Sequence, residues 1–301
     1  MDRKRLYNKI RYLIQNRTNF NDLCKELNLT DKELIYIIEC MNEYGIPITI
    51  KDNEFVKHDR SKIIEEPLRL TNDKEHIKIG FIGDTHLCSL YDDIPSLSHI
   101  YEIGEEKNID LMLHAGDLIE GVLGIDNFER HLKEDTYFGQ MKYVIDRYPK
   151  YSGKTYVVSG NHDDYFTMLT GKEIIDDISK ERSDIVYLGR KRRIDINGLK
   201  IDILHGDVDI QTNSRFRASR YLRNIRLEER PHILHCAHKH VSNYGLIDNT
   251  HIVRSGCFMN VNYSSNKCNL KNDKTMYFAD IYFDDNGIPI DFKIERQSLR
   301  K

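Results

Sequence analysis

The stretch HIKIGFIGDTHL, residues 76–87, decides the fold of this chain. The part IKIGFI is short and apolar except for Lys78, and three consecutive polar residues follow Gly83. Such a run, closed by glycine and polar residues, is typical of a buried β-strand followed by a turn. We therefore expect the carboxylate of Asp84 and the imidazole of His86 to lie near one another just beyond the end of a strand.

Four more apolar runs farther along the chain end in the same kind of polar motif. They are IDLMLHA before Asp117 in HAGD, KTYVVS before Asn161 and His162 in SGNHD, LKIDIL before His205 in LHGD, and HILHCA before His238 and His240 in AHKH. Strand ends that deliver oxygen and imidazole donors to one rim are the way an α/β sheet builds a site. The five motifs in this order predict a site for two metal ions.

This ordered series resembles the calcineurin-like metallophosphoesterase superfamily over residues 76 to 260. The resemblance implies an α/β fold in which two sheets form an αββα sandwich. It also implies two sets of ligands that share one bridge: Asp84, His86 and His240 for the first ion, Asn161, His205 and His238 for the second, and Asp117 between them. His162 would remain free to donate a proton to the leaving oxygen or to stabilise the charge that develops there.

Two motifs depart from the pattern of the superfamily. The last one usually reads Gly-His-x-His, and Ala237 stands here in place of the glycine. The second reads GDLIEG, without the Asp-Arg pair of the Ser/Thr protein phosphatases. The first departure removes no ligand, whereas the second disfavours protein dephosphorylation.

The predicted donors are nitrogen and oxygen, with no cysteine among them. That set suits Mn²⁺, Fe²⁺, Zn²⁺ or Ni²⁺ better than Mg²⁺, which prefers an all-oxygen shell. We expect two divalent transition-metal ions, with manganese as the first choice. Two such ions, about 3.5 to 4 Å apart, make hydroxide available at neutral pH and clamp the attacking and leaving oxygens of an in-line displacement.

Composition limits the other possibilities. The 301 residues suffice for one large domain and one small one, and 45 basic against 48 acidic residues give a net charge of -3, so any anion-binding surface must be local. No long apolar stretch and no signal-like start occur, which predicts a cytoplasmic protein without membrane contact. The six cysteines show no C-x-x-C pair and are interpreted as reduced thiols: Cys24, Cys40, Cys88, Cys236, Cys257 and Cys268.

Residues 1–58 have a pattern of their own and predict a small separate domain. Three helical stripes are followed by two extended pieces, IPITI and EFVKH: Leu6, Ile10, Leu13 and Ile14; Phe20, Leu23, Cys24 and Leu27; Leu34, Ile37, Ile38 and Met41. The third helix opens with a capping box, Thr30 to Glu33. Three helices and a β-ribbon predict a winged helix-turn-helix, and MNEYGIPITIKDNEFVKH resembles the amino-terminal domain of biotin-ligase repressors. Contact with DNA, and protein contact or homo-oligomerisation, both stay open as its role.

The rest of the chain divides into a linker at residues 59–75, broken by Pro67, and a metallophosphoesterase domain at residues 76–301. Within the large domain we expect helices over 95–107, 127–148 and 171–182. Asn197-Gly198 is a strong signal for a type I′ hairpin turn, and a second hairpin is expected around 285–287.

Six arginines follow the fourth motif within residues 214–230: Arg215, Arg217, Arg220, Arg223, Arg226 and Arg230. If the segment is helical, its arginines spread over the face opposite the apolar stripe. We interpret this face as a track for a phosphate backbone, extended by the basic residues 190–193. The alternative is an ordinary solvated face, balanced in part by Glu228 and Glu229.

These features predict a dinuclear-metal phosphodiesterase that acts on DNA or RNA, that is, a nuclease. One alternative is an enzyme for small phosphate esters or cyclic nucleotides, in which the amino-terminal domain serves only for oligomerisation. The other is a non-catalytic DNA-binding regulator on a phosphoesterase scaffold. The complete series of metal donors argues against the regulator.

Overall fold

The computed structural model describes residues 3–15, 18–43, 48–51, 53–57, 66–122, 131–206, 218, 221–260 and 272–299. The helices in these residues are α1 Arg3–Gln15, α2 Phe20–Leu27, α3 Asp31–Glu43, α4 Ile94–Glu106, α5 Tyr137–Arg147, α6 Asn161–Thr170 and α7 Ile174–Glu181. The strands are β1 Ile48–Lys51, β2 Glu54–Lys57, β3 Leu68–Leu70, β4 His76–Ile82, β5 Leu111–His114, β6 Lys154–Val157, β7 Ile185–Tyr187, β8 Lys191–Ile196, β9 Leu199–Leu204, β10 Ile233–Cys236, β11 Asn243–Ile247, β12 Thr250–Arg254, β13 Thr275–Phe283 and β14 Pro289–Ser298. None of the described helices combines the length and apolarity that a bilayer crossing requires.

The first sheet carries the first three polar motifs. Its strand order is β14-β13-β4-β5-β6-β7, and β4 to β7 run parallel. Parallel strands need crossover connections, which α4 provides between β4 and β5 and α5 between β5 and β6. The carboxyl ends of these strands therefore meet at one edge, where their motifs begin.

The second sheet carries the remaining two motifs. Its order is β11-β12-β10-β9-β8-β3, with β9 and β10 parallel, so that His205 and His238 follow strands that end on the same side. Asn197 and Gly198 form the predicted turn between β8 and β9, both with positive φ. Residues 68–70, within the predicted linker, form edge strand β3 beside β8.

The two sheets pack face to face with helices outside, which confirms the expected sandwich of two mixed sheets. Alternate residues of β4, Ile77, Ile79 and Phe81, point into the layer between the sheets and are buried. Met112 of β5 points the other way, into the layer covered by α4, α5 and α7. Leu222 covers the outer face of the second sheet.

Helix positions agree with the sequence in part. Helix α4 matches the prediction for 95–107, and α5 is shorter than 127–148, of which residues 127–130 lie outside the described residues. Helix α7 covers most of 171–182. The sequence did not predict α6, which begins at Asn161 itself because Gly160 and Asp163 cap its first turn.

The amino-terminal residues form three helices and the β1-β2 hairpin, as expected. The backbone N–H of Glu33 donates to the Thr30 hydroxyl at 3.3 Å, and the Thr30 N–H donates to the Glu33 carboxylate at 2.6 Å, which confirms the capping box. The predicted stripes pack together in one apolar cluster. This cluster includes Tyr165 of α6, so the amino-terminal unit rests on the helix that begins with the third motif.

Candidate metal centre

The five motifs converge on one buried site. Five of the seven predicted ligands have positive φ, between 45° and 94°: Asp84, His86, Asp117, His238 and His240. That conformation disfavours residues other than glycine by about 1 to 3 kcal/mol each, and it persists only where surrounding contacts impose it. Here the backbones of the first two loops are bonded to each other, the N–H of Asp84 to the Gly116 carbonyl at 3.0 Å and that of His86 to the Asp117 carbonyl at 3.0 Å.

The first group of donors joins His86 and His240, whose Nε2 atoms lie 3.0 Å apart. Two ligands at right angles on one ion, each about 2.1 Å from it, are separated by about 3 Å. Asp84 is fully buried beside them, and both of its oxygens accept the backbone N–H of His238, at 2.8 and 3.0 Å. The first group therefore has the spacing of ligands on one ion.

The second group surrounds His205. Its Nε2 atom lies 3.1 Å from Asn161 Oδ1, 3.1 Å from His238 Nδ1 and 3.0 Å from Asp117 Oδ2. The other ring nitrogen of His205 donates to the Ala115 carbonyl at 2.7 Å, which fixes the ring. The predicted second set is thus also assembled.

Asp117 lies between the two groups. Its Oδ2 atom is 3.0 Å from His205 Nε2 and 3.6 Å from His86 Nε2, and its Oδ1 accepts the backbone N–H of His162 at 3.0 Å. That N–H belongs to the first turn of α6, where unpaired donors attract negative charge. Gly160 permits this approach, because a Cβ there would lie 2.2 Å from Asp117 Oδ1.

The electrostatics of the two histidine pairs favour cations in both groups. Burial lowers the pKa of His86, but the Glu120 carboxylate outweighs burial and the pKa rises to about 9. Burial acts in the same way on His205, whose pKa the Asp117 carboxylate raises to about 10. The pKa of the second histidine in each pair is lowered, by burial first and then by the charge of its partner. The carboxylates around each pair thus favour positive charge there, which a bound divalent ion would supply, so the donors present fit two such ions.

Glu120 is a site residue that the sequence did not reveal. It is 4% exposed, and its Oε2 lies 2.8 Å from Nδ1 of His86. A carboxylate on the far nitrogen of a ligating histidine orients the ring and increases the basicity of the nitrogen that faces the metal. The one signal for it is an acid inside the otherwise apolar run LIEGV.

His162 is held at the border of the site. Its Nδ1 donates to the backbone carbonyl of Glu120 at 2.7 Å, so Nε2 is the atom left to exchange a proton. Its ring packs edge-on against His86, with centroids 4.5 Å apart, and against Tyr165 at 6.2 Å. Position and tautomer are therefore fixed by backbone and packing.

Other polar residues near the motifs have structural roles. Asp163 accepts the backbone N–H groups of Gly160 at 2.8 Å and Ile119 at 3.0 Å, which joins the start of α6 to the loop after β5. His114 bonds to the Thr85 hydroxyl at 3.1 Å, and His235 bonds to two backbone carbonyls. Both histidines are buried in the core and stand outside the two donor groups.

Ala237, the departure in the last motif, packs against Gly83. A Cβ at position 83 would lie 2.6 Å from the Ala237 methyl group, so the glycine that the last motif lacks is matched by a glycine across the contact. We expect Gly83→Ala to lower the free energy of unfolding by about 1 to 3 kcal/mol through overpacking. Denaturant unfolding of Gly83→Ala and of Gly83→Ala with Ala237→Gly tests this, because the double variant should recover most of the loss. Equal stability of the two variants would contradict the contact.

Three of the basic residues that the sequence assigned to a phosphate track are paired with carboxylates of this chain. Arg230 binds Asp248 at 3.0 Å, Arg193 binds Asp202 at 2.6 Å and Arg190 binds Asp164 at 3.1 Å. Residues 221–223 are helical and a short 3₁₀ turn follows at Leu227–Glu229, so the described part of this segment is not one continuous helix. Arg223 and Arg226 are exposed, while the predicted contacts Arg215, Arg217 and Arg220 lie outside the described residues.

The comparison with protein families decides the assignment. Residues 77–279, more than half of the chain, match the calcineurin-like phosphoesterases. The chain belongs to the calcineurin-like phosphoesterase family. Calcineurin-like phosphoesterases depend on two metal ions, and the buried donors of this chain are candidates to bind them.

The individual proteins that resemble this chain share little sequence identity with it. The chain is 26% identical over 140 residues to a UDP-2,3-diacylglucosamine hydrolase of Shigella dysenteriae, a match that covers 46% of this chain and about half, 52%, of the relative. An archaeal phosphodiesterase is similar with 15% identity and a TM-score of 0.44, covering 74% of this chain and 100% of the other. Vacuolar protein sorting 29 of Cryptosporidium parvum is similar with 13% identity and a TM-score of 0.42, covering 76% and 100%.

Proposed function

We propose that this calcineurin-like phosphoesterase is a dinuclear-metal phosphodiesterase. The observation that carries the proposal is the position of Asp117, with one oxygen within 3.6 Å of an imidazole nitrogen from each donor group. Asp84, His86 and His240 would hold the first ion, and Asn161, His205 and His238 the second. When bound, such ions supply a nucleophile at neutral pH and neutralise phosphoryl oxygens.

The side chains of this chain would then position the reaction. The Glu120 carboxylate keeps His86 oriented, and the first turn of α6 keeps Asp117 between the groups. His162 holds a proton on Nε2 and donates it to the oxygen that leaves phosphorus, since Nδ1 is already bonded to a carbonyl. The burial of Asp84 and Asp117 excludes water from the side of the site opposite the substrate.

We propose nucleic acid as the substrate, with the exposed Arg223 and Arg226 in support. Small nucleotide-linked esters are the second candidate, because the Shigella relative is named for a nucleotide sugar. Metal-loaded protein incubated with labelled single-stranded and double-stranded nucleic acid, with UDP-2,3-diacylglucosamine and with a chromogenic diester separates the two. Cleavage of no diester in any of these assays would contradict the phosphodiesterase itself.

Neutralising the arginine segment tests the substrate class. We expect Arg217, Arg220 and Arg223 changed together to Ala to weaken nucleic-acid cleavage and flatten its salt dependence, by a slope of roughly 0.7 per lost contact on single strands and roughly 0.9 on duplex. Hydrolysis of the chromogenic diester should stay near normal. Arg230→Ala is the matched control, because Asp248 already holds that guanidinium. Unchanged nucleic-acid cleavage in the triple variant would favour the small esters.

We further propose that residues 1–58 form a winged-helix domain. The three helices, the hairpin and their common apolar cluster support this. The domain has two candidate roles, which are recruitment of nucleic acid and assembly of a homo-oligomer. Light scattering of the full chain, with and without a DNA duplex, distinguishes the roles. A monomer that binds duplex favours recruitment, and a dimer indifferent to duplex favours assembly.

A further inference from the structure

A sulfur atom lies beside the first donor group. Cys257 is fully buried, and its Sγ lies with one nitrogen of His86 and one of His240 in a cluster whose three atoms are all within 4.8 Å of one another. No motif points to this residue, because Cys257 lies well beyond the last one. The donor set expected from the sequence contains no cysteine.

Hydrogen bonds hold Cys257 against the ligand loops. Its backbone N–H donates to the Asp273 carbonyl at 2.9 Å, and the Asp273 N–H donates to the His240 carbonyl at 2.9 Å. The N–H of the next residue, Phe258, donates to the Asp84 carbonyl at 2.9 Å. The sulfur is thus tied to the two loops that carry Asp84 and His240.

We propose that Cys257 is a ligand of the ion held by Asp84, His86 and His240, and that its sulfur makes this first site select Zn²⁺ over Mn²⁺. The sulfur and the two imidazoles, together with the carboxylates of Asp84 and Asp117, are all donors of types that zinc accepts. Thiolate is a soft ligand, which suits zinc, whereas manganese prefers carboxylate, carbonyl and water. The inference rests on the proposed metal centre.

The second site lacks this feature. Among the described residues, the cluster around Asp117, His205 and His238 contains no cysteine. Cys236 is equally buried, but it packs in the apolar layer on the outer face of the second sheet. The two sites therefore differ in softness, and we expect zinc in the first and manganese in the second.

Cobalt spectroscopy tests ligation without reference to activity. The full chain loaded with Co²⁺ should show a sulfur-to-cobalt charge-transfer band in the near ultraviolet. The band should disappear in Cys257→Ser and persist in Cys236→Ser, the matched loss of a buried thiol. Cobalt bound without the band in the parent chain would overturn the role of Cys257 and leave the metal centre standing. Failure of the parent to bind cobalt at all would overturn the metal centre as well.

A competition experiment tests selectivity. The chain is equilibrated with equal concentrations of Zn²⁺ and Mn²⁺, desalted and subjected to elemental analysis. Cys257→Ser should lower the ratio of bound zinc to bound manganese by at least about 10-fold, the lower limit for loss of even an outer-shell partner. Denaturant unfolding of Cys257→Ser and of Cys236→Ser in the presence of a chelator shows whether each variant is folded. If Cys257→Ser is unstable, the competition is repeated with Cys257→Ala. An unchanged ratio in a folded variant contradicts the proposal.

Discussion

Asp117→Asn is expected to reduce hydrolysis to near the uncatalysed level while the chain stays folded. The carboxylate lies between the two donor groups, so a neutral amide in its place should weaken the binding of both ions. The fold should survive, because an amide oxygen can still accept the backbone N–H of His162, which the carboxylate accepts at 3.0 Å. Metal content by elemental analysis, turnover of a chromogenic diester and circular dichroism of the same sample measure the three quantities.

Asp202→Asn is the control for this variant. Asp202 is also buried, but it pairs with Arg193 in the second sheet, away from the donors. Its loss should lower stability and leave two ions per folded chain. Full activity of Asp117→Asn, or a parent chain that binds no metal, would contradict the proposed centre.

The positions of the ligands were predictable because strand periodicity and parallel pairing determine them. Once β4, β5 and β6 are parallel neighbours, the residues after Ile82, His114 and Val157 must meet at one edge. The hairpin at Asn197-Gly198 was predictable for an equally local reason, since both residues tolerate positive φ. Short-range chemistry thus predicts the scaffold of the site.

Contacts through space were not predictable in the same way. Glu120 and Cys257 both lie close to His86, and neither has a sequence spacing that indicates a ligand or its partner. The arginines show the converse case, since a run of one charge looks uniformly available in sequence until the fold brings Asp248 to Arg230 and Asp202 to Arg193. Pairings of this kind depend on the tertiary arrangement, which one sequence without homologues does not reveal.

His162→Ala is expected to lower turnover by roughly 10² to 10⁴-fold and to leave metal content unchanged. The imidazole completes neither donor group, and its Nδ1 is bonded to the Glu120 carbonyl, so Nε2 carries the exchangeable proton. The ring also packs against His86 and Tyr165, and His162→Asn keeps a polar side chain in that space without a proton of suitable acidity. Both variants should therefore lose activity while elemental analysis still finds two ions.

Substrates with different leaving groups show whether His162 transfers that proton. A proton donor matters most when the departing oxygen is strongly basic, so His162→Ala should lose far more activity on an alkyl diester than on a nitrophenyl diester. His99→Ala removes an exposed histidine of α4 that bonds to Glu102, and it should change the hydrolysis of neither substrate. Equal losses on both diesters would mean that the imidazole stabilises negative charge without transferring a proton. In that case the same bond to the Glu120 carbonyl would serve to fix the direction of the imidazole, because an oriented dipole needs a fixed tautomer as much as an acid does.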